Sequence, residues 1–364
     1  MNHSLGMFQS SFTVLRRNDD AVRRSVSPHH LIASSQDCKA ECAHFETCLI
    51  VRIDPHEPLP MTTLQSPPTF SGHETFALRG GWLKKAFDLL IADYPDLFSR
   101  EDAFVLLGVG KNMASSIRFW GRVCGVFERD ESGSYRPTLL GRSLLSDDGW
   151  DPYLVTPAAR WLLHWHVAAR PDAAFTWFYT FNILRGGECS PLQLSAQIQT
   201  YVGEHGGKVP SDATIKRDVE CLFHTYTPPD ARRLAAGVED ALACPLSSLG
   251  LLRQSPGQRS YYLASGPQPS LPDTLVAWAI LTFVRDSGQS TAAFNDLAYS
   301  PGSPGRVFRF DEDGLLSRLM TLSDLTDGQL VYNDQAGIRQ VYWNGGDGND
   351  LANALLHRTF EDMR

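Results

Sequence analysis

The sequence LGVGKNMASSIRFWGRV, residues 107–123, decides how the first ordered part of this chain folds. Its glycines indicate a tight turn at Gly108-Val109-Gly110. The residues that follow, from Lys111 to about Phe127, have the apolar spacing of a helix. We therefore predict a helix that begins directly after a turn, which is the arrangement of a recognition helix in a helix-turn-helix protein.

The predicted helix has two chemically different sides, because both residue sets recur at i, i+4, i+7 and i+11 and lie two residues apart. The polar and basic side consists of Lys111, Ser115, Arg118 and Arg122. The apolar side consists of Met113, Ile117, Trp120 and Cys124. The basic side suits the DNA major groove, where arginine bonds guanine, and the nearby Asn112 is a candidate for adenine. The alternative is a solvated basic face on an ordinary surface helix.

The flanking elements favour a winged helix-turn-helix between about Glu101 and Leu145. Helices are predicted over Gly81–Tyr94 and up to Leu107. Ser132-Gly133 indicates a hairpin within Glu128–Tyr135. A further helix is expected at Leu139–Leu145, so the order is helix, helix, turn, helix, hairpin.

The order of helices followed by a hairpin recurs twice more, without a residue-level repeat. We therefore predict an α+β, predominantly helical fold of tandem winged-helix-like modules joined by an aromatic-rich helical connector. The predicted segments are 1–68, a poorly ordered or over-extended N-terminal arm; 69–150, a winged-helix module with a His-Glu loop; 151–187, the connector; 188–266, a second winged-helix-like module; and 267–364, a C-terminal helix-hairpin module.

Composition limits the classes of function. The formal net charge of -8 argues against a protein that coats nucleic acid over its whole surface, but a local basic face can still bind DNA because distant charges are screened. The seven cysteines lack the dense spacing of a secreted scaffold. We find no signal peptide or membrane span and expect a cytoplasmic protein.

Two further segments carry candidate DNA contacts. In Phe70-Ser-Gly-His-Glu-Thr-Phe76, a His73–Glu74 pair could act as a general base or bind a metal beside DNA. The alternative is that this pair hydrogen-bonds backbone groups and caps the next helix. The candidate phosphate contacts after this loop are Arg79, Lys84 and Lys85. In a helix over Ser211–Tyr226, the basic candidates are Lys216 and Arg217, although packing or dimerisation is an equal alternative there.

Other features give weaker indications. Cys38, Cys42, His44 and Cys48 could hold zinc, but their spacing does not match paired C-x2-C knuckles. His164 and His166 are interpreted as satisfied core histidines. The sequence contains no Walker phosphate loop, no nucleotide-binding glycine fingerprint and no Gly-x-Ser-x-Gly elbow. No common catalytic motif is therefore evident.

Four separated strings resemble one bacterial family. They are FSGHETF (70–76) with WLKK (82–85), LGVGKNM (107–113) with SIRFW (116–120), GWDPYL (149–154) leading into WLLHW (161–165), and IKRDV (215–219). Together they resemble the SspB-like DNA nickase family of bacterial single-stranded DNA phosphorothioation systems, formerly a domain of unknown function. The resemblance extends from about Phe70 to the C-terminus.

This resemblance implies a bacterial defence protein that nicks one strand of duplex DNA so that a partner can insert sulfur into the backbone. The implied partners are duplex DNA, a sulfurtransferase and an ATPase, with a homodimer as a further expectation. The resemblance carries over no catalytic residues; from position and chemistry, His73 and Glu74 are the candidate catalytic residues, with Arg79 or Lys111 stabilising the phosphorane charge. A divalent metal, Mg or Mn, would be the natural cofactor. A non-catalytic winged-helix transcriptional regulator and an assembly scaffold remain the alternatives.

Overall fold

The computed structural model describes residues 68–229, 244–255, 260–335 and 337–363. Chain contacts divide the protein into two units, Met1–Glu57 and Pro58–Arg364, and every described residue belongs to the second. Residues 1–67 lie outside the described residues. They include all of the predicted arm except Pro68, and the candidate zinc ligands Cys38, Cys42, His44 and Cys48.

The first described segment contains helices, a two-stranded hairpin and another helix, in the predicted order. Its elements are α1 (Trp82–Ile91), α2 (Ala103–Leu107), α3 (Lys111–Val123), β1 (Phe127–Arg129), β2 (Tyr135–Pro137) and α4 (Leu139–Leu145). The antiparallel strands pair Phe127 with Pro137 and Arg129 with Tyr135. Helix α3 ends earlier than predicted, because Gly125 adopts a left-handed conformation and Phe127 has already entered β1.

Close packing joins α3 to the hairpin. Gly121 lies where the ring of Phe127 crosses the helix, and a Cβ atom at position 121 would lie 1.6 Å from Phe127 Cζ. Trp120 is fully buried and its indole Nε1 donates to the carbonyl of Phe76 at 2.9 Å. A glycine in the helix interior lowers helix propensity, but here it lets the hairpin dock directly on the helix.

Aromatic helices occupy the middle of the chain, as predicted. Helix α5 (Pro157–Ala168) begins with a Thr156 side-chain cap, and α6 (Phe175–Phe178) continues into a π-helical turn at Tyr179–Ile183. The indole rings of Trp161 and Trp177 are completely buried. This segment therefore belongs to the core.

The remaining two segments each combine helices with a three-stranded antiparallel sheet. The first has β3 (Glu188–Cys189), α7 (Pro191–Glu204), α8 (Asp212–Tyr226), β4 (Leu252–Gln254) and β5 (Tyr261–Leu263), with strand order β3-β5-β4. The second has α9 (Asp273–Asp286), β6 (Thr291–Ala293), α10 (Phe294–Tyr299), α11 (Pro304–Val307), α12 (Glu312–Met320), α13 (Leu322–Leu325), β7 (Leu330–Gln335), β8 (Ile338–Trp343) and α14 (Gly348–Glu361), with strand order β6-β8-β7. The sequence patterns predicted the β4–β5 and β7–β8 pairs but not the third strand of either sheet.

The prediction of a mixed, predominantly helical fold is confirmed. The identity of the three segments as winged-helix modules, and their boundaries, stay predictions. Among the residues that the structure describes, no helix has both the length and the apolar character needed to cross a membrane.

Candidate nucleic-acid interface

Helix α3 has one exposed basic side. Lys111, Arg118 and Arg122 are exposed, together with Asn112, and Ser115 is half-buried. The Lys111 ammonium lies 5.7 Å from the centre of the Phe104 ring. In the described part of the chain, no carboxylate forms an ion pair with Lys111, Arg118 or Arg122. Their charges therefore remain available to a ligand.

The other side of α3 anchors the helix in the core. Ile117, Trp120 and Cys124 are fully buried, and Met113 is half-buried. The predicted division of this helix into a basic and an apolar side is therefore confirmed. A helix held in this way has a fixed orientation, so its outward side chains are displayed without a large loss of backbone freedom on binding.

An open groove of about 330 Å³ lies beside the last turns of α3. Its lining includes Phe119, Arg122, Glu128, Arg129, Arg170 and Asp172. The exposed basic side of α3 thus continues into this groove through Arg122. The arginines of β1 and of the turn after α5 were not singled out from sequence, because they come together only when the hairpin docks near the end of α5.

The predicted catalytic pair is split between two environments. His73 is almost completely buried, and its Nε2 lies 2.9 Å from Asp218 Oδ1. Its Nδ1 accepts a hydrogen bond from the Thr75 amide at 3.1 Å, so the neutral ring carries its proton on Nε2 and donates to Asp218. Glu74 is exposed and adopts a left-handed backbone conformation. Of the alternative role, His73 does hydrogen-bond a backbone amide, but neither residue caps α1, whose N-cap Gly81 receives no side-chain hydrogen bond.

Asp218 is the centre of this buried network. Its Oδ1 also accepts from the Ser71 amide at 3.0 Å, and its Oδ2 accepts from the Thr176 hydroxyl at 3.2 Å. The carboxylate on α8 therefore ties together the loop before α1 and the start of α6. Asp218 lies in the segment IKRDV and His73 in the segment FSGHETF. The sequence does not predict that the two side chains meet, because 145 residues separate them.

The other candidate phosphate contacts near α1 differ in exposure. Arg79 is buried, with its guanidinium 5.3 Å from the Trp82 ring centre. The Lys84 ammonium is held by Asp88 and by Asp147, the latter at 2.7 Å. Burial alone would lower the pKa of Lys84. The hydrogen bonds that its ammonium donates to both carboxylates outweigh this effect, so the pKa of Lys84 is raised above its ordinary value.

Three predicted basic contacts are exposed. Lys85 lies on the outer side of α1, and both Lys216 and Arg217 lie on the outer side of α8. Arg217 Nε donates to the carbonyl of Ala213 in the preceding turn at 3.1 Å. The structure therefore brings Asp218 of α8 to the His73 loop, while Lys216 and Arg217, which precede Asp218 in the chain, face outward.

A metal centre is not evident in the described ranges. No group of three or more His, Cys, Asp or Glu side chains there has an arrangement that could hold a metal ion. The described residues therefore do not by themselves fit the predicted Mg or Mn site.

Comparison with known proteins assigns the family. The family model "Protein of unknown function (DUF4007)" matches residues 70–360. A solved structure described as "SspB crystal structure" is 32% identical with a TM-score of 0.73, covering 81% of this chain and 89% of that chain. Another, described as "Magnesium ion-bound SspB crystal structure", is 30% identical with the same TM-score and coverage. A search of the curated proteins gave no match. The predicted resemblance is confirmed, and the chain belongs to the DUF4007 family, an SspB-like family.

Proposed function

We propose that this protein is the DNA-binding component of a bacterial DNA phosphorothioate modification and defence system. The observation that carries the proposal is the basic side of α3: three exposed cations that pair with no carboxylate of the described residues, on a helix whose opposite side is buried. Membership of an SspB-like family supports the choice of system. In this proposal the basic side of α3 contacts duplex DNA, with arginine on base edges and Lys111 on a phosphate.

The elements around α3 support docking as a winged helix. Helix α2, a turn with left-handed Gly108, helix α3 and the β1–β2 hairpin follow one another without insertion. In this arrangement α3 enters the major groove and the hairpin lies beside the DNA backbone. Arg129 and Arg136 of the hairpin are both exposed and would supply backbone contacts.

Strand nicking is the reaction proposed for this protein, on the basis of its family resemblance. A water oxygen would bond to phosphorus, one sugar oxygen would leave, and that oxygen would take up a proton. Glu74 is better placed than His73 to meet a phosphodiester, because Glu74 is exposed, whereas one ring nitrogen of His73 is engaged by Asp218 on α8 and the other by the Thr75 amide. The proposal also includes the sulfurtransferase and ATPase partners and a homodimer, on the same family basis. It assigns no divalent metal to the described residues, because none of their His, Cys, Asp and Glu side chains are grouped to hold one.

The binding proposal is tested by titrating labelled duplex DNA at several salt concentrations. Each phosphate contact contributes about -0.9 to the slope of log affinity against log salt, so Lys111→Gln should flatten the slope by about that amount. Arg118→Ala should cost about 1–3 kcal/mol at a cognate site if it reads a base. Arg358→Gln removes an exposed arginine from α14, far along the chain, and is the control expected to bind normally.

The alternatives give different results in the same experiments. An assembly scaffold would show almost no duplex affinity at any salt. A transcriptional regulator would bind as expected but leave supercoiled plasmid intact in the presence of magnesium or manganese. Relaxed circles that disappear in Glu74→Gln would support nicking by this loop. Relaxed circles that persist unchanged in both Glu74→Gln and His73→Ala would refute the catalytic assignment.

A further inference from the structure

The groove beside α3 is larger than a phosphate contact requires. We infer that it receives one unpaired nucleotide of a DNA strand, with the phosphate on its arginines and the base against Phe119. This inference rests on the proposed function, because it assumes that DNA lies along α3. It adds a recognition step that duplex binding alone does not include.

The volume of the groove favours a whole nucleotide. Pockets that hold small organic molecules start at about 300 Å³, and this groove measures about 330 Å³. An isolated phosphate would fill only a small part of that space. The groove is therefore large enough for a base and sugar together with the phosphate.

The charges in the groove suit the phosphate. Arg122 and Arg170 are exposed and form no ion pair with a described residue, while Arg129 donates from Nε to Gly133 of its own hairpin at 3.3 Å. All three arginines line one concave surface, with the Arg129 guanidinium held against its own hairpin turn, so Arg122 and Arg170 are the cations left to meet a phosphate. Arginine matches phosphate geometry with paired donors, so a phosphate is the anion that this arrangement suits best.

The rest of the lining suits a base. Phe119 is half-buried, and its ring is fixed by edge contacts with His73 and Trp120 at centroid distances of 5.5 and 5.2 Å. A fixed aromatic ring that lines a groove is a stacking surface for a nucleobase. Glu128 and Asp172 line the same groove and can accept a hydrogen bond from an exocyclic amino group such as that of cytosine.

The position of the groove places it on the path of the DNA. Arg122 belongs both to the basic side of α3 and to the groove, so a strand bound along α3 would pass directly to the groove. Removing a nucleotide from a duplex costs stacking and pairing energy, and this cost is lowest for a nucleotide that is already unpaired. An unpaired nucleotide should therefore bind more tightly than a paired one.

The test compares two labelled duplexes that differ by one unpaired cytidine at the centre. The full-length protein should bind the duplex with the unpaired cytidine about tenfold more tightly or better. Arg170→Gln and Phe119→Leu should each remove most of this preference while leaving affinity for the paired duplex largely unchanged. Arg142→Gln, an exposed arginine on α4 outside the groove lining, should keep the full preference.

The outcomes separate this inference from the proposed function. Equal affinity for the two duplexes, or a preference that survives in Arg170→Gln, would overturn the nucleotide site while leaving duplex binding by α3 intact. Absence of binding to either duplex would overturn both. A preference lost equally in Arg142→Gln and Arg170→Gln would show general electrostatic attraction and would also overturn the site.

Discussion

His164 is a histidine whose environment fixes its protonation state. Its Nε2 lies 2.7 Å from the Val307 carbonyl, which can only accept, so Nε2 carries the proton. Its Nδ1 then accepts from the hydroxyl of Tyr226 at 2.7 Å. Burial lowers the pKa of His164 to about 4, only partly opposed by the bond to Val307. This confirms the interpretation of His164 as a satisfied core residue.

The lowered pKa makes stability depend on pH. An unfolded histidine titrates near 6.5, so protons bind the unfolded chain more readily than the folded one as the pH falls. We expect the free energy of unfolding to be constant above about pH 6.5 and to fall between pH 6.5 and 4. The loss is about 3 kcal/mol for each fully buried histidine of this kind. Burial and Arg170 also lower the pKa of His166 to about 4, but its side chain is only half-buried, so its contribution to the loss is smaller.

Urea denaturation at pH values between 7 and 4.5 measures this effect. The variant His164→Gln should be less stable than the wild type at neutral pH but should lose less stability on acidification. His357→Gln changes an exposed histidine and should keep the wild-type pH dependence. If the free energy of unfolding of His164→Gln depends on pH as that of the wild type does, protonation of His164 is not the cause of the loss of stability in acid.

Sequence periodicity predicts single-residue environments well when they follow from one element. The buried and exposed residues of α3 follow the 3.6-residue repeat, so their environments could be derived from local spacing. The partner of His73 could not be derived, because Asp218 comes from a helix much further along the chain. A buried pair across such a separation leaves no periodic signal in either segment.

At the scale of elements, the Phe70–Phe76 loop is held in an unusual conformation by α8. Ser71, Glu74 and Thr75 all adopt positive φ values of 64°, 48° and 66°, which are costly for residues other than glycine. Asp218 on α8 accepts hydrogen bonds from His73 and from the Ser71 amide. We therefore infer that the His73–Asp218 hydrogen bond stabilises this loop conformation.

A double-mutant cycle measures the coupling energy between His73 and Asp218. His73→Ala and Asp218→Ala should each destabilise the protein by about 1–3 kcal/mol, because each leaves a buried polar partner unsatisfied. The double variant should lose less than the sum, with a coupling energy of about 1 kcal/mol or more by urea denaturation. Asp218→Asn keeps the size of the side chain and provides a milder comparison. Additive losses would mean that the two residues stabilise the fold independently.

Long, regular helices were predicted more accurately than short strands. Helix α4 was predicted with the bounds it has, and α8 to within one residue, because each buries apolar side chains at helical spacing. Strands β3 and β6 are two or three residues long, too short to show an alternating pattern, and neither belongs to a hairpin whose turn would have revealed it, as the turns of the equally short β1–β2 and β4–β5 pairs did. Arg129 and Arg170 of the groove were missed for a different reason, since only docking of the hairpin brings them beside Arg122.

At the scale of the whole molecule, the acidic net charge and the proposed DNA binding are compatible. The formal charge of -8 is summed over the entire chain, whereas the proposed contact depends on one helix side and the adjoining groove. Charges more than about 8 Å apart are largely screened at physiological salt. Binding should therefore be governed by the local basic surface and should weaken steeply as salt increases.

Photo-crosslinking from α3 is the most direct test of where DNA lies. Benzoylphenylalanine introduced at position 112, in place of exposed Asn112, should crosslink to labelled duplex DNA at low salt and lose that crosslink as salt increases. The same group at position 320, in place of exposed Met320 on α12, should give no crosslink. Crosslinking from position 320 but not from position 112, while the protein still binds DNA, would contradict the central claim that α3 contacts the double helix.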